Sequence, residues 1–353
     1  FKYKQEIDNS IYNVLNSGKY TLSEKVNQFE REFAIYNDVE YCIGVASGTD
    51  AIILALKACD IKNGDEVITT PFTAYATISA IISSGAKPVF VDVCEDSYLI
   101  DIEKVSAVIG PKTKAIVPVH LFGNVVDIER LRSLVGQDIY IIEDACQAHG
   151  SLMDKRKAGS LGDIGCFSFY PTKNLGGYGD GGAITTNNHD IANKIKLMRT
   201  YGMRDKDHVQ IHGMNSRLDE IQAAVLTVKL RYLDRFNFQR NFIAKKYIEG
   251  LGNDFFSHQK IEKDTFCNYH VFQSRYMGDR DGLANFMGEN NIQVNIYYLF
   301  PHHLQDSLLY LKYSVGDFPV AEKLSSNVIA LPLFPEIELE TVEHVISMIN
   351  KYK

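Results

Sequence analysis

Lys173 lies in the run Cys166-Phe167-Ser168-Phe169-Tyr170-Pro171-Thr172-Lys173-Asn174. The residues before it are apolar and aromatic, and those after it are rich in glycine. A lysine between two such runs is poorly solvated. Desolvation lowers its pKa and makes the amine nucleophilic, as imine formation with a carbonyl requires. An arbitrary lysine more often snorkels at the surface. Glu143-Asp144 ends an apolar stretch. An acid there suits a metal ligand, a general base or a partner for a cationic ring nitrogen, and position alone does not choose among them. Ser47-Gly48-Thr49-Asp50 precedes an apolar helical pattern. Small residues at a helix start leave backbone N–H groups open at the positive end of the dipole, which suits a phosphate. Taken alone, the motif is better explained as capping by Ser or Thr.

The three signals together have a common meaning. A phosphate cradle, a strand-end carboxylate and a desolvated lysine are the three protein contributions that pyridoxal phosphate needs. One further motif points elsewhere. Gly177-Tyr178-Gly179-Asp180-Gly181-Gly182 satisfies GxGxxG, the dinucleotide fingerprint. That fingerprint requires a helix directly after the loop. Here Ala183-Ile184-Thr185-Thr186 follows and reads as a strand, so a glycine-rich turn between two strands is expected.

The elements that must position these residues follow from the hydrophobic pattern. Residues 67–69, 88–93, 114–119 and 139–143 read as buried strands. Residues 50–58, 75–84 and 126–134 between them read as helices. This alternation predicts an α/β domain with a mostly parallel sheet, and Asp144 falls at the strand ends where ligands bind. Residues 216–251 read as a long helical segment containing a linker. Beyond it, 269–276 and 293–297 read as strands and 337–352 as a closing helix. These patterns predict a large domain over 1–235, with a helical segment at its start, and a smaller α+β domain over 236–353.

Composition limits the partners. The chain has 353 residues, 45% of them hydrophobic, and a net charge of −7. The acidic balance argues against a nucleic-acid or anionic-membrane binder. No apolar run approaches the ~18 residues of a membrane span, and the first ten residues lack a signal-peptide core. The six cysteines show no CxxC pair or zinc spacing, so no metal site is expected. They read as buried free thiols in a reducing cytoplasm.

Several motifs carry a family resemblance: SGTDA (47–51), GDEVITTPFTAYAT (64–77), VHLFG (119–123), EDACQAHG (143–150), GDIGCFSFYPTKNLGGYGDGGAI (162–184) and GMNSRLDEIQAA (213–224). With them, nearly the whole chain resembles the DegT/DnrJ/EryC1/StrS sugar aminotransferases, which have the fold type I, aspartate-aminotransferase-like architecture. The resemblance implies that Lys173 holds pyridoxal phosphate as an imine and Asp144 pairs with the pyridinium nitrogen. It places Gln147 near the ring hydroxyl, with Gly48, Thr49 and Ser168 on the phosphate. It stacks Tyr75 on the pyridine. Asn215 would reach the phosphate from a neighbouring subunit, which implies a homodimer with its active site at the interface.

The implied reaction moves an amino group from glutamate to the cofactor, giving pyridoxamine phosphate, and then to the ketone of a nucleotide-linked sugar, with Lys173 carrying the protons. Asp180 stands where many relatives have Glu, and Ser23 replaces a common glycine. KNLGGYGDGG resembles the branch acting at C-3 of dTDP-linked 3-keto-6-deoxyhexoses, whose 3-amino-3,6-dideoxy products enter surface polysaccharides such as lipopolysaccharide, or glycosylated natural products. A C-4 or UDP-sugar aminotransferase, a dehydratase of the same fold and a non-catalytic sugar-nucleotide sensor are the alternatives. Dehydratases replace the lysine by His, so Lys173 opposes that reading.

Substrate contacts are expected from Tyr297, His302 and His303, in NIYYLFPHHLQ (295–305), and from Tyr178. Ordinary loop packing is an equal reading for the first three. Arg217 is expected to pair with Asp219 or Glu220. His120, His149 and His270 read as satisfied core histidines.

Overall fold

The computed structural model describes residues 3–252 and 254–352. Two helices, Lys4–Ser17 and Glu24–Asn37, precede the first strand. The main sheet has seven strands: β1 (Tyr41–Val45), β2 (Glu66–Thr69), β3 (Lys87–Phe90), β4 (Thr113–Ile116), β5 (Tyr140–Asp144), β6 (Ile164–Ser168) and β7 (Gly182–Thr186). Their order is β1-β7-β6-β5-β4-β2-β3. The pairings from β3 to β6 are parallel, and β7 runs antiparallel to both its neighbours. Valine and isoleucine dominate these strands because both faces of the sheet are covered. Ile52, Leu54 and Leu56 of the helix Gly48–Ala58 pack with β1, β6 and β7 in one buried cluster, whereas Phe72, Ile78 and Leu131 join Ile68, Ile116 and Ile141 in another.

The strand-like reading of 183–186 agrees with β7, and the glycine-rich run 177–182 leads into that strand rather than into a helix. The expected strand 88–93 ends at Phe90, and 114–119 ends at Ile116. The helical segment expected over 216–251 consists of two helices, Glu220–Leu230 and Leu233–Leu251. The smaller C-terminal sheet consists of β8 (Phe256–His258), β9 (Phe272–Tyr276) and β10 (Val328–Leu331), all antiparallel. The expected strand at 293–297 is a single bridge, Asn295 to Ala330. A Gln273 side chain bonds the backbone of Tyr297 there and takes the place of a ladder.

β5 carries two carboxylates, and strand alternation sends them to opposite faces. Glu143 is fully buried. Its oxygens accept from the N–H groups of Gly159 (2.8 Å), Leu161 (2.7 Å) and Gly162 (2.6 Å) and from His120 Nε2 (2.8 Å). His120 Nδ1 accepts from the Val126 N–H (3.0 Å), so the ring is neutral with its proton on Nε2. Asp144 is clamped through its backbone: its N–H donates to Pro118 and its carbonyl accepts from His120. Glu143→Ala leaves four donors, two buried and two part-buried, without an acceptor. It should cost about 3–5 kcal/mol of stability, measured by urea unfolding, whereas Asp144→Ala should cost much less.

Candidate active site

A cavity of about 270 Å³ opens at the carboxyl ends of the parallel strands. Its walls come from the segments after β1 (Gly48, Thr49), β2 (Thr73), β5 (Gln147) and β6 (Lys173), with Asp144 at the end of β5 itself. Five expected site residues, Gly48, Thr49, Asp144, Gln147 and Lys173, therefore converge, and Ser168 is the sixth.

The helix Gly48–Ala58 is capped by Ser47, whose side chain accepts from the Asp50 N–H at 3.1 Å. Gly48 and Thr49 are its first residues, so their N–H groups have no acceptor within the helix. A Cβ at position 48 would lie 2.6 Å from the Ser168 Cβ and 2.8 Å from the Cys146 Sγ. Only glycine lets this helix end meet the end of β6. Capping and an anion cradle are thus two properties of one turn.

Asp144 Oδ2 accepts from the Thr77 hydroxyl at 2.6 Å, and Oδ1 accepts from the Cys146 N–H at 3.1 Å. Thr77 in turn lies 3.3 Å from the Thr73 hydroxyl. Gln147 accepts from the Phe122 N–H (2.7 Å) and donates to the Tyr298 hydroxyl (3.2 Å), which fixes its amide orientation. Lys173 is half-buried, and its ammonium has no hydrogen-bond or ion-pair partner among the described residues. Burial pushes its pKa down, against the opposing pull of Cys146 and Asp144. The Cys146 thiol is part of the same wall. Burial, followed by the Asp144 charge, pushes it well above its ordinary value. Cys146 and Cys94 are partly exposed, so the expectation of six buried thiols holds for the other four.

Other expected residues lie elsewhere. Tyr75 starts the helix Tyr75–Ser83, beside the cavity but not in its wall. Its ring meets His302 (5.3 Å), and its hydroxyl is 2.9 Å from the Ser307 hydroxyl. His302 donates from Nε2 to the Thr73 carbonyl at 2.6 Å, which ties it to the cavity rim. His303 is fully buried, bonded to Glu322 (3.0 Å) and packed on Phe318, so the packing reading holds for it. Tyr297 lines a separate cavity of about 200 Å³, and Tyr178 lines one of about 640 Å³ that Lys173 also borders. Asn215 is exposed, outside these cavities. Arg217 makes no ion pair among the described residues. Glu220, its expected partner, instead accepts from the N–H groups of Ser23 (2.7 Å), Lys25 (2.8 Å) and Val26 (3.0 Å).

The structure adds Thr77, Tyr298 and Cys146 to the site. Thr73 and Thr77 lay within the motif 64–77 but carried no separate signal, and Thr73 stands before the helix Tyr75–Ser83. Tyr298 carried no signal among 20 tyrosines.

Of the three core histidines, His120 is satisfied as expected, and His270 Nδ1 bonds the Asn174 side chain at 3.2 Å. His149 is buried against Phe167 and Phe169, and among the described residues neither ring nitrogen has a partner in hydrogen-bond geometry, the Ser168 backbone being only a weak neighbour. Burial, reinforced by Lys173, lowers its pKa to about 3. The unfolded chain takes up this proton near pH 6.5 and the folded chain only near 3. Its contribution is therefore fully present above pH 6.5 and declines as the pH falls toward 3. The melting temperature of His149→Leu should fall less between about pH 6.5 and 4.5 than that of the wild type.

The sheet and the cavity at its strand ends define an α/β protein of fold type I, aspartate-aminotransferase-like. The chain belongs to the DegT/DnrJ/EryC1/StrS aminotransferase family, whose model matches residues 2–350. It is 42% identical to the dTDP-3-amino-3,6-dideoxy-alpha-D-galactopyranose transaminase of Aneurinibacillus thermoaerophilus, covering 99% of this chain and 96% of that one. It is 40% identical to the "pleiotropic regulatory protein" of Geobacillus stearothermophilus, covering 99% and 95%. The crystal structure of S. venezuelae DesV matches with a TM-score of 0.97 at 37% identity, covering 99% of this chain and 95% of that one.

Proposed function

We propose that this chain is a pyridoxal-phosphate aminotransferase that moves the amino group of glutamate to the C-3 ketone of a dTDP-linked 3-keto-6-deoxyhexose. The observation that carries the reading is the convergence of Lys173, Asp144 and the Gly48 helix end in one cavity. The activity for which the Aneurinibacillus relative is named supports the sugar and the position. The amino sugar formed would enter a surface polysaccharide or glycoconjugate, and the enzyme would act in the cytoplasm as a homodimer. In that dimer Asn215 would face the partner's cofactor. Residues 1–235 form the cofactor domain in this reading and 236–353 the smaller domain.

The residues present fit the cofactor. The N–H groups of Gly48 and Thr49 and the Ser168 hydroxyl would hold its phosphate, at the contact that admits no Cβ. Asp144, held by Thr77 and the Cys146 N–H, would face the ring nitrogen, and Gln147 the ring hydroxyl. When bound, the group supplies an electron sink for the carbon that loses its proton. Lys173 would hold the group through its Nζ and, when that amine is free, would accept and return a proton there. Burial lowers its pKa, the direction that general-base work requires. Tyr178, Tyr297 and His302 remain the proposed sugar-side residues.

Added pyridoxal phosphate should give a visible absorbance band that glutamate bleaches with release of 2-oxoglutarate, and Lys173→Ala should give neither. Asp144→Ala should keep the band and lose at least ~10²-fold in turnover; wild-type turnover in that variant would remove its assigned role. A second reading, a sugar-nucleotide sensor, is favoured by the name of the Geobacillus relative. A band untouched by any amino donor, together with tight binding of a dTDP-sugar, would select it.

A further inference from the structure

Arg240, on the helix Leu233–Leu251, is 7% exposed, yet no carboxylate among the described residues comes within ion-pair distance of it. Other buried arginines are paired: Arg199 with Glu30, Arg275 with Glu95 and Arg280 with Asp281. Arg240 Nη1 donates to the carbonyls of Leu333 (3.1 Å), His270 (3.3 Å) and Tyr269 (3.4 Å). Those bonds use one nitrogen of the guanidinium. Nε is buried and has no partner, and Nη2 donates to no described residue. Nε and Nη2 form the side-on edge of the guanidinium, the edge that can hold a carboxylate with two parallel hydrogen bonds.

The place of this edge matters as much as its chemistry. Arg240 borders both the cavity of about 640 Å³ that contains Lys173 and the cavity of about 200 Å³ that contains His270 and Tyr297. It therefore stands at the junction of the linker helix, β9 and the segment after β10, beside the reacting lysine. Burial lowers its pKa to about 10, and Glu336 opposes this only at a distance. A buried cation without a counter-ion is costly, and an anionic ligand would offset that cost.

We propose that Arg240 binds the α-carboxylate of the amino donor, which places the donor's amine toward Lys173. The inference rests on the aminotransferase reading and assigns the donor contact within it. A planar carboxylate matches a buried fork. A nucleotide diphosphate, larger and strongly hydrated, matches it poorly.

The test uses the full-length protein loaded with pyridoxal phosphate, as wild type, Arg240→Gln and Arg240→Lys. Bleaching of the visible band is followed with glutamate, with its α-amide isoglutamine and with its γ-amide glutamine. The amino-sugar half-reaction is followed on the same pyridoxal-phosphate-loaded protein as bleaching of the band by dTDP-3-amino-3,6-dideoxygalactose, and thermal unfolding checks the fold. Calorimetric titration with glutarate, an unreactive dicarboxylate, gives a readout independent of turnover. Arg240→Gln should raise the half-saturating glutamate concentration and weaken glutarate at least ~10-fold. It should also collapse the preference for glutamate over isoglutamine, and leave the amino-sugar half-reaction within about 3-fold. Arg240→Lys, which keeps the charge without the fork, should fall between the two.

An unchanged glutamate-to-isoglutamine preference in a folded variant would overturn the assignment. So would a selective loss of the amino-sugar half-reaction, which would mean a phosphate ligand, or an equal loss of both halves, which would mean a structural clasp. A collapse confined to the preference over glutamine would also overturn it, because it would mean the γ-carboxylate. A wild type that responds to no amino donor would overturn the aminotransferase reading itself, a separate and recognisable result.

Discussion

The end of β5 must present one carboxylate to the cavity and bury the next, and much of the site is built around that requirement. Both main-chain groups of Asp144 bond the segment after β4, and the N–H of the next residue, Ala145, donates to the Cys166 carbonyl in β6. Glu143, on the other face, gathers the turn at 159–162 and His120 around a single buried carboxylate. The turn leads into β6, and β6 leads to Ser168 and Lys173. A strand end fixed from behind in this way aims its functional side chain without relying on the ligand to order it.

Much of this was legible in the chain. Alternation of apolar runs with helical patterns showed the parallel sheet, and a strand after Gly182 showed why the GxGxxG match is no dinucleotide site. Residue type alone could not separate Glu143 from Asp144. Their roles differ by one step along a strand, and only the partners on each face reveal which is structural. The strand expected at 293–297 shrinks to the Asn295 bridge for a related reason, since a side chain of Gln273 does there what a backbone ladder does elsewhere. Tyr75 and His303 show a third limit. A motif places a residue in sequence near a cavity, whereas packing against His302 or Phe318 decides where its ring rests.

The two parts of the chain meet through polar groups as well as apolar ones. Asn174, next to Lys173, bonds the Asn237 side chain of the linker helix at 2.9 Å and the Asn268 carbonyl at 3.2 Å. Asn237 and Asn268 both donate to the His149 carbonyl, at 2.7 and 3.0 Å. Buried amides satisfied on several sides are rigid connectors. The lysine therefore sits on a backbone fixed to the linker and to the C-terminal part, not on a free loop.

Lys173 and Cys146 share one wall, and burial acts on both by disfavouring charge. For an amine this frees the lone pair; for a thiol it retains the proton. The same burial thus biases the amine toward its neutral form and the thiol toward its protonated form. On the proposed reading, solvation would sort an entering carbonyl between the nitrogen and the sulfur, with the cysteine left in place.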